Sequence, residues 1–261
     1  VVRALTSDRL DNPKFHGPAD PQTGVAPGWR AAGMGGMRCE LTAGMSLSGN
    51  ESQLLHSYSW VPQGMLQPGR SVRQGETLEV ELWAKVRHHP VTLQIELTPL
   101  PLRQPAYAKA SVTADAAYWK PYRARLTTPC DDDAAVFRLQ LMGPGYVWID
   151  QVHLRPVGEG HVCRALIERI RSLQVPVLRF PGGCISTNYH WQHGTGPVHL
   201  RPVLADPVFK WSTAYDFGTD EYLDLCLTQG IRPHLTVNIG SGTPEEAAAW
   251  AAYCADWFRQ R

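Results

Sequence analysis

The chain has 261 residues, 43% of them hydrophobic, and its 25 lysines and arginines nearly balance 24 acidic residues for a net charge of +1. That is enough apolar material for one large or two ordinary cores, which excludes a disordered chain. The balanced charge, with no basic run, excludes the electrostatic footprint of a nucleic-acid binder, and no apolar run reaches the length of a membrane span, so a neutral partner is expected.

The opening residues Val1-Val2-Arg3-Ala4-Leu5-Thr6 lack the apolar core of a signal peptide, and no initiator methionine precedes them. From about Met37 to Pro156 the hydrophobic period is two, as in Leu78-Glu79-Val80-Glu81-Leu82-Trp83-Ala84-Lys85-Val86. Similar runs at Val91 to Leu97, Ala135 to Met142 and Tyr146 to Leu154, separated by Pro, Gly and Asp, predict an antiparallel β-sandwich or jelly roll. After Val157 the period becomes helical: Val162, Leu166, Ile167, Ile170 and Leu173 share a face until Pro176. A strand is expected at Val177 to Phe180, then a helix capped by Thr219 and ending near Gly230, then a strand at His234 to Ile239. The last helix has Thr243 as cap, Pro244 in the first helical position and Glu246 placed for a capping box. Helix, strand, helix, strand, helix is α/β grammar with parallel strands. A closed barrel needs eight such strands, so this part is either an incomplete (β/α)8 barrel or a smaller open sheet.

The six cysteines, Cys39, Cys130, Cys163, Cys184, Cys226 and Cys254, show no short zinc or redox spacing and read as free buried thiols. They tilt the compartment toward a reducing, cytoplasmic one.

Chemistry concentrates behind the second-part strand, in Leu178-Arg179-Phe180-Pro181-Gly182-Gly183 and on through Cys184, Asn188, Tyr189, His190, Trp191 and His193 to Gly194-Thr195-Gly196-Pro197. Proline and two glycines turn the backbone off a strand end, and Arg179 offers planar donors suited to hydroxyls or a carboxylate. The plainer reading puts Arg179 in a structural ion pair. His190 and His193 have no third ligand nearby in sequence, so no metal is expected. Asn238 and Ser241, at the end of the next strand, serve either a ligand or the shape of their loop. In the sandwich, Trp83, Tyr118, Trp119 and Tyr122 are candidates for a sugar-stacking platform or for core packing.

Read in order, Arg179-Phe180-Pro181-Gly182-Gly183, Tyr189-His190-Trp191, Gly194-Thr195-Gly196-Pro197, Arg201-Pro202, Trp211, Phe217-Gly218-Thr219-Asp220-Glu221-Tyr222, Val237 to Ala247, Trp250 and Tyr253-Cys254 form a linear series. This series resembles the α-L-arabinofuranosidases of glycoside hydrolase family fifty-one. The sandwich, most clearly at Val147-Trp148-Ile149-Asp150-Gln151-Val152-His153-Leu154, is similar to the carbohydrate-binding-module-like domain many members carry, and the segment from Asp8 to Trp29 to the one following their first barrel strand.

The resemblance implies a lead-in at 1–36, a sandwich at 37–157, and at 158–261 part of a TIM barrel whose strands are the second and third. It implies a retaining glycosidase without cofactor that removes terminal arabinofuranosyl groups from oligosaccharides or polysaccharides, with a homo-oligomer conceivable for the complete enzyme. Its two catalytic glutamates, one protonating the departing oxygen and one attacking the anomeric carbon from about 5 Å away, are expected beyond Arg261. Asn50-Glu51 lies in the sandwich and is coincidental. What carries over is one wall of the substrate pocket: Arg179, Trp211, Asn238 and Cys184, the last standing where many members have asparagine. A different class of protein, a non-catalytic carbohydrate binder using Trp83 and Trp119, is the alternative. A nucleotide-binding sheet is disfavoured, because Asn238-Ile239-Gly240-Ser241-Gly242-Thr243 lacks the glycine pattern and the lysine of phosphate sites.

Overall fold

The computed structural model describes residues 6–261 apart from 34, 49, 103 and 208. The opening five residues, and with them most of the stretch considered for a signal peptide, lie outside the described residues. The chain divides into two compact units between Gly160 and His161.

The first unit is a sandwich of two five-stranded sheets. In chain order its strands are β1 (Arg30–Ala32), β2 (Met37–Ala43), β3 (Glu51–Ser57), β4 (Gln63–Val72), β5 (Thr77–Val86), β6 (Val91–Thr98), β7 (Ala108–Ala114), β8 (Lys120–Thr127), β9 (Asp132–Leu141) and β10 (Gly145–Pro156). One sheet has the order β1-β4-β9-β6-β7, the other β2-β3-β10-β5-β8, and the pairings are antiparallel. Strict alternation explains the core: Leu78, Val80, Leu82 and Ala84 of β5 are fully buried and face Leu93, Ile95, Leu97, Phe137 and Leu139 of the other sheet in one cluster.

β10 departs from a simple alternating strand. Its register shifts between Asp150 and His153, and Gln151 takes φ 53°. The bulge explains why the inward residues are Val147 and Ile149 before it and Val152 and Leu154 after it, an odd-to-even change. The lead-in packs into this unit: Leu10, Phe15, Val25 and Trp29 belong to the sandwich core, and Asp8 pairs with His153 and Arg155. Burial pushes the Asp8 carboxyl up, but the His153 charge and hydrogen bond together with Arg155 outweigh it and leave it below the usual carboxylate range.

The second unit contains α1 (Arg164–Ser172), β11 (Val177–Phe180), the small hairpin β12 (Leu204–Ala205) and β13 (Ser212–Thr213), α2 (Thr219–Gln229), β14 (Arg232–Leu235) and α3 (Pro244–Arg259). β11 and β14 run parallel, Val177 opposite Arg232 and Phe180 opposite Leu235. Tyr222 of α2 ties both strands: its hydroxyl donates to Leu178 O at 2.6 Å and accepts from His234 N at 2.7 Å. Tyr222, Leu223, Cys226, Trp250, Cys254 and Trp257 form the core beneath them.

Three boundary expectations need correction. Gly218 rather than Thr219 caps α2, with the Glu221 side chain reaching back to Gly218 N at 2.8 Å. Thr219 sits inside the first turn, fully buried, because its hydroxyl accepts from Trp250 Nε1 at 3.1 Å. The second parallel strand is Arg232–Leu235, not His234 to Ile239: its partner ends at Phe180, so the ladder ends with it and Ile239 stands 86% exposed. Thr243 caps α3 as expected, accepting from Glu246 N at 3.2 Å, but the Glu246 carboxylate is directed to His190 instead of closing a capping box.

Candidate functional site

The carboxyl ends of β11 and β14 are the positions where side chains leaving adjacent parallel strands converge, as at a barrel rim. Phe180 anchors the end of β11, stacked on Tyr222 at 4.9 Å and edge-on to Tyr189 at 5.3 Å. Gly183 follows at φ 60°, and the chain then winds through 3-10 turns at Gly183–Thr187, Trp191–Gly194 and Val198–Leu200. These short turns leave carbonyls unpaired, and neighbouring hydroxyls recover them: Ser186 donates to Gly183 O, Thr187 to Cys184 O and Thr195 to Gln192 O, at 2.7, 2.7 and 3.0 Å.

Arg201 locks this loop to α2. Only 2% exposed, it makes a two-pronged pair with Glu221 at 2.7 and 2.9 Å and donates to Gly196 O and Tyr215 O. Gly196 N donates to Asp220, whose other carboxylate oxygen accepts from the Tyr253 hydroxyl at 2.6 Å. The approach is so close that a β-carbon on Gly218 would stand 2.0 Å from Gly194 O, and one on Gly194 2.3 Å from the Tyr189 hydroxyl, which is why both positions are glycine.

Beside it, the loop after β14 is tied to the loop after β11. Asn238 Oδ1 accepts from Gly240 N and Ser241 N, and its Nδ2 donates to Ser241 Oγ at 3.0 Å. Ser241 Oγ donates to Thr187 O at 3.0 Å and lies 3.3 Å from His190 Nε2, while His190 Nδ1 lies 3.0 Å from Glu246. The sequence offered no carboxylate near His190; folding supplies one from 56 residues away. Among the described residues no group of three or more His, Cys, Asp or Glu could hold a metal.

The positions expected to line the pocket therefore differ in what they have to offer. Arg179 lies on β11, exposed, and makes no hydrogen bond or ion pair among the described residues, so its donors are unspent and the structural ion-pair reading has no partner. Cys184 is exposed in the first 3-10 turn. Trp211, 49% exposed, stacks flat on Phe209 at 4.5 Å beside the β12–β13 hairpin. Asn238 is 7% exposed and its amide is spent on shaping its own loop.

A cavity of about 200 Å³ opens nearby, lined by Asn188, His190, His193, Leu204, Ala205, Asp206, Pro207, Thr213, Tyr215 and Ser241. Of these, Ser241 and the two histidines were legible in the sequence as candidates, whereas Asp206 and Tyr215, on and beside the β12–β13 hairpin, were not.

In the sandwich unit the aromatics divide. Tyr122 is a core residue whose hydroxyl donates to Asp115 Oδ1 and accepts from Asp115 N, so it is no platform. Lys85 Nζ lies 4.9 Å from the Trp119 ring and 5.6 Å from that of Trp148, and Trp83 stands two residues away on the same face of β5. His56 and Tyr146 stack at 3.4 Å across the β3–β10 pair. Trp148 and Lys85 were missed because each reads as an ordinary outward residue of an alternating strand.

Residues 169–256 match the family described as the alpha-L-arabinofuranosidase 1 domain. Over 89 residues the chain is 42% identical to alpha-L-arabinofuranosidase C of Emericella nidulans, and over 87 residues 44% identical to an intracellular exo-alpha-L-arabinofuranosidase of Bacteroides ovatus. These stretches are 34% and 32% of this chain but 18% and 16% of those proteins, so the match spans less than a fifth of the relatives' length. The fold is similar to that of an arabinose-bound family fifty-one α-L-arabinofuranosidase, with a TM-score of 0.76 over 96% of this chain and 45% of that one, at 16% identity. The motif series from Arg179 to Cys254 thus lies within the stretch that matches the alpha-L-arabinofuranosidase 1 domain, and the fold of the chain is similar to that of part of a family fifty-one enzyme.

Proposed function

We propose that this chain is the amino-terminal part of a retaining α-L-arabinofuranosidase, supplying a sandwich and one wall of the pocket that holds a terminal arabinofuranosyl group. The observation that carries the reading is an arginine with unspent donors on β11, an exposed Cys184 just past its end and an exposed, flat-stacked Trp211 beside the β12–β13 hairpin, all within the family-matching segment. Fixed planar donors and an aromatic face suit a neutral sugar ring. Hydrolysis belongs to a longer polypeptide. Retention requires two carboxyl groups about 5 Å apart, and the partly buried Glu221 and Glu246 are committed to Arg201 and His190.

The test is hydrolysis of an aryl α-L-arabinofuranoside by the 261-residue chain and by a longer polypeptide continuing its reading frame. The longer one should turn over and lose most of its activity on Arg179→Ala; the 261 residues alone should not exceed a denatured control. Turnover by the short chain would overturn the placement of both carboxylates.

A second reading is favoured by one observation, the Trp119–Lys85–Trp148 cluster: the sandwich binds polysaccharide by ring stacking. Affinity for arabinan or arabinoxylan that falls on Trp119→Ala and Trp83→Ala, yet survives Arg179→Ala, would support it.

A further inference from the structure

The cavity holds polar atoms that nothing in the second unit uses. Asn188 Nδ2 and His193 Nδ1 are shut off from solvent and have no hydrogen-bond partner among the described residues. A buried polar atom left unmatched is costly, and native proteins seldom leave two in one place without an occupant to meet them. Both residues line the same space, together with Asp206 and with Tyr215, whose ring packs edge-on against His193 at 5.5 Å.

Size and charge narrow the occupant. About 200 Å³ is the volume of roughly six or seven waters; it admits one ring and no chain. Burial, aided by the charge of neighbouring His190, lowers the pKa of His193, so at neutral pH its ring is uncharged and can both donate and accept. The Asp206 carboxylate in the wall opposes an anion. A group offering acceptors to Asn188, a donor or acceptor to His193 and a hydroxyl to Asp206, with an apolar face for Tyr215, is a polyhydroxylated neutral ring.

We propose that this cavity is a binding site for a single neutral sugar ring, separate from the wall formed by Arg179 and Cys184, neither of which lines it. The proposal rests on the reading of this unit as part of an arabinofuranosidase, and it assigns the cavity a second ring of the arabinose-containing chain. Ser241 gives it a physical link to the rim: the same hydroxyl that lines the cavity accepts from Asn238 and contacts His190. A ring seated there would brace the loop that carries Asn238.

The experiment is a titration of the 261-residue chain with L-arabinose, followed by two-dimensional NMR of the asparagine side-chain amides and histidine rings. Saturable shifts at Asn188 and His193 are expected. Asn188→Leu and His193→Phe should each weaken binding about tenfold, the loss of one good hydrogen bond, while Arg179→Ala changes it less than twofold. Unchanged thermal melting of each variant shows that it has folded. If Arg179→Ala abolishes the shifts and the cavity variants do not, the cavity assignment falls while the arabinofuranosidase reading stands. Absence of saturable arabinose binding, or tighter binding of inorganic phosphate, also overturns the assignment. Failure of the enzymatic reading would appear elsewhere, as a longer polypeptide that does not cleave an arabinofuranoside.

Discussion

Replacing Arg201 with methionine removes the side-chain donors that pair the 194–218 loop with Glu221 of α2, leaving the backbone N–H of Gly196 on Asp220, without emptying much volume. The guanidinium is 2% exposed and the Glu221 side chain 10%, so this pair is buried. Two of the donated bonds go to Glu221, at 2.7 and 2.9 Å, and others go to the carbonyls of Gly196 and Tyr215. Without Arg201, the Glu221 carboxylate keeps the Gly218 N–H at 2.8 Å but loses its countercharge. Breaking one partner of a buried pair costs about 3–5 kcal/mol, against about 1 kcal/mol or less for an exposed pair. For a unit of about a hundred residues, 3 kcal/mol corresponds to a melting shift of roughly 12 °C or more. Hydrogen exchange at the amides of Leu223, Leu225 and Cys226 in α2 reports on this unit separately from the sandwich. Arg201→Met should accelerate exchange there and lower the melting temperature, and the double variant Arg201→Met/Glu221→Leu should recover much of the loss, since no unpaired charge remains buried. A single variant costing less than about 1 kcal/mol, or a double variant as damaged as the single, would refute the view that charge pairing holds this loop.

Gly218→Ala should destabilise the same unit by about 1–3 kcal/mol or more in urea unfolding, because its methyl meets Gly194 O at 2.0 Å; Gly160→Ala, whose methyl meets nothing within 4 Å, is the control and should be near neutral. Trp250→Phe should cost about 1–3 kcal/mol by leaving the fully buried Thr219 hydroxyl without its indole donor, and a cost below about 0.5 kcal/mol would show that the bond is dispensable. In the sandwich, burial pushes Asp150 up to about 7, against N–H donors from Leu47 and Gln151 and the charge of Lys14. An unfolded aspartate releases its proton near pH 3.9. Between about pH 4 and 7 the folded state therefore binds more protons, and stability falls as pH rises, with a slope approaching 1.4 kcal/mol per pH unit. Asp150→Asn should flatten that part of the curve, and an unchanged slope would contradict the burial argument.

The sequence by itself determined what depends on neighbours along the chain. Alternation placed the sandwich strands, though not the bulge in β10, and Thr243 with Pro244 set the start of α3. Those signals are legible because a pleat or a helix turn repeats over two to four residues. The family series also picked out the rim of β11.

Only tertiary structure decided what distant residues do to one another. Thr219 looks like a cap until Trp250 claims its hydroxyl, and Glu246 looks like a capping-box partner until His190, 56 residues earlier, takes its carboxylate. Asn238 looks available to a ligand until its amide is seen spent on its own loop, whereas Arg179 looks fit for an ion pair that no described residue provides. The cavity could not be read from sequence, because Asn188, Asp206, Tyr215 and Ser241 are far apart along the chain and meet only around the folded cavity. A side chain's hydrogen-bonding capacity is written in its chemistry; whether that capacity is spent or left for a ligand is settled by whatever packing brings within 3 Å of it.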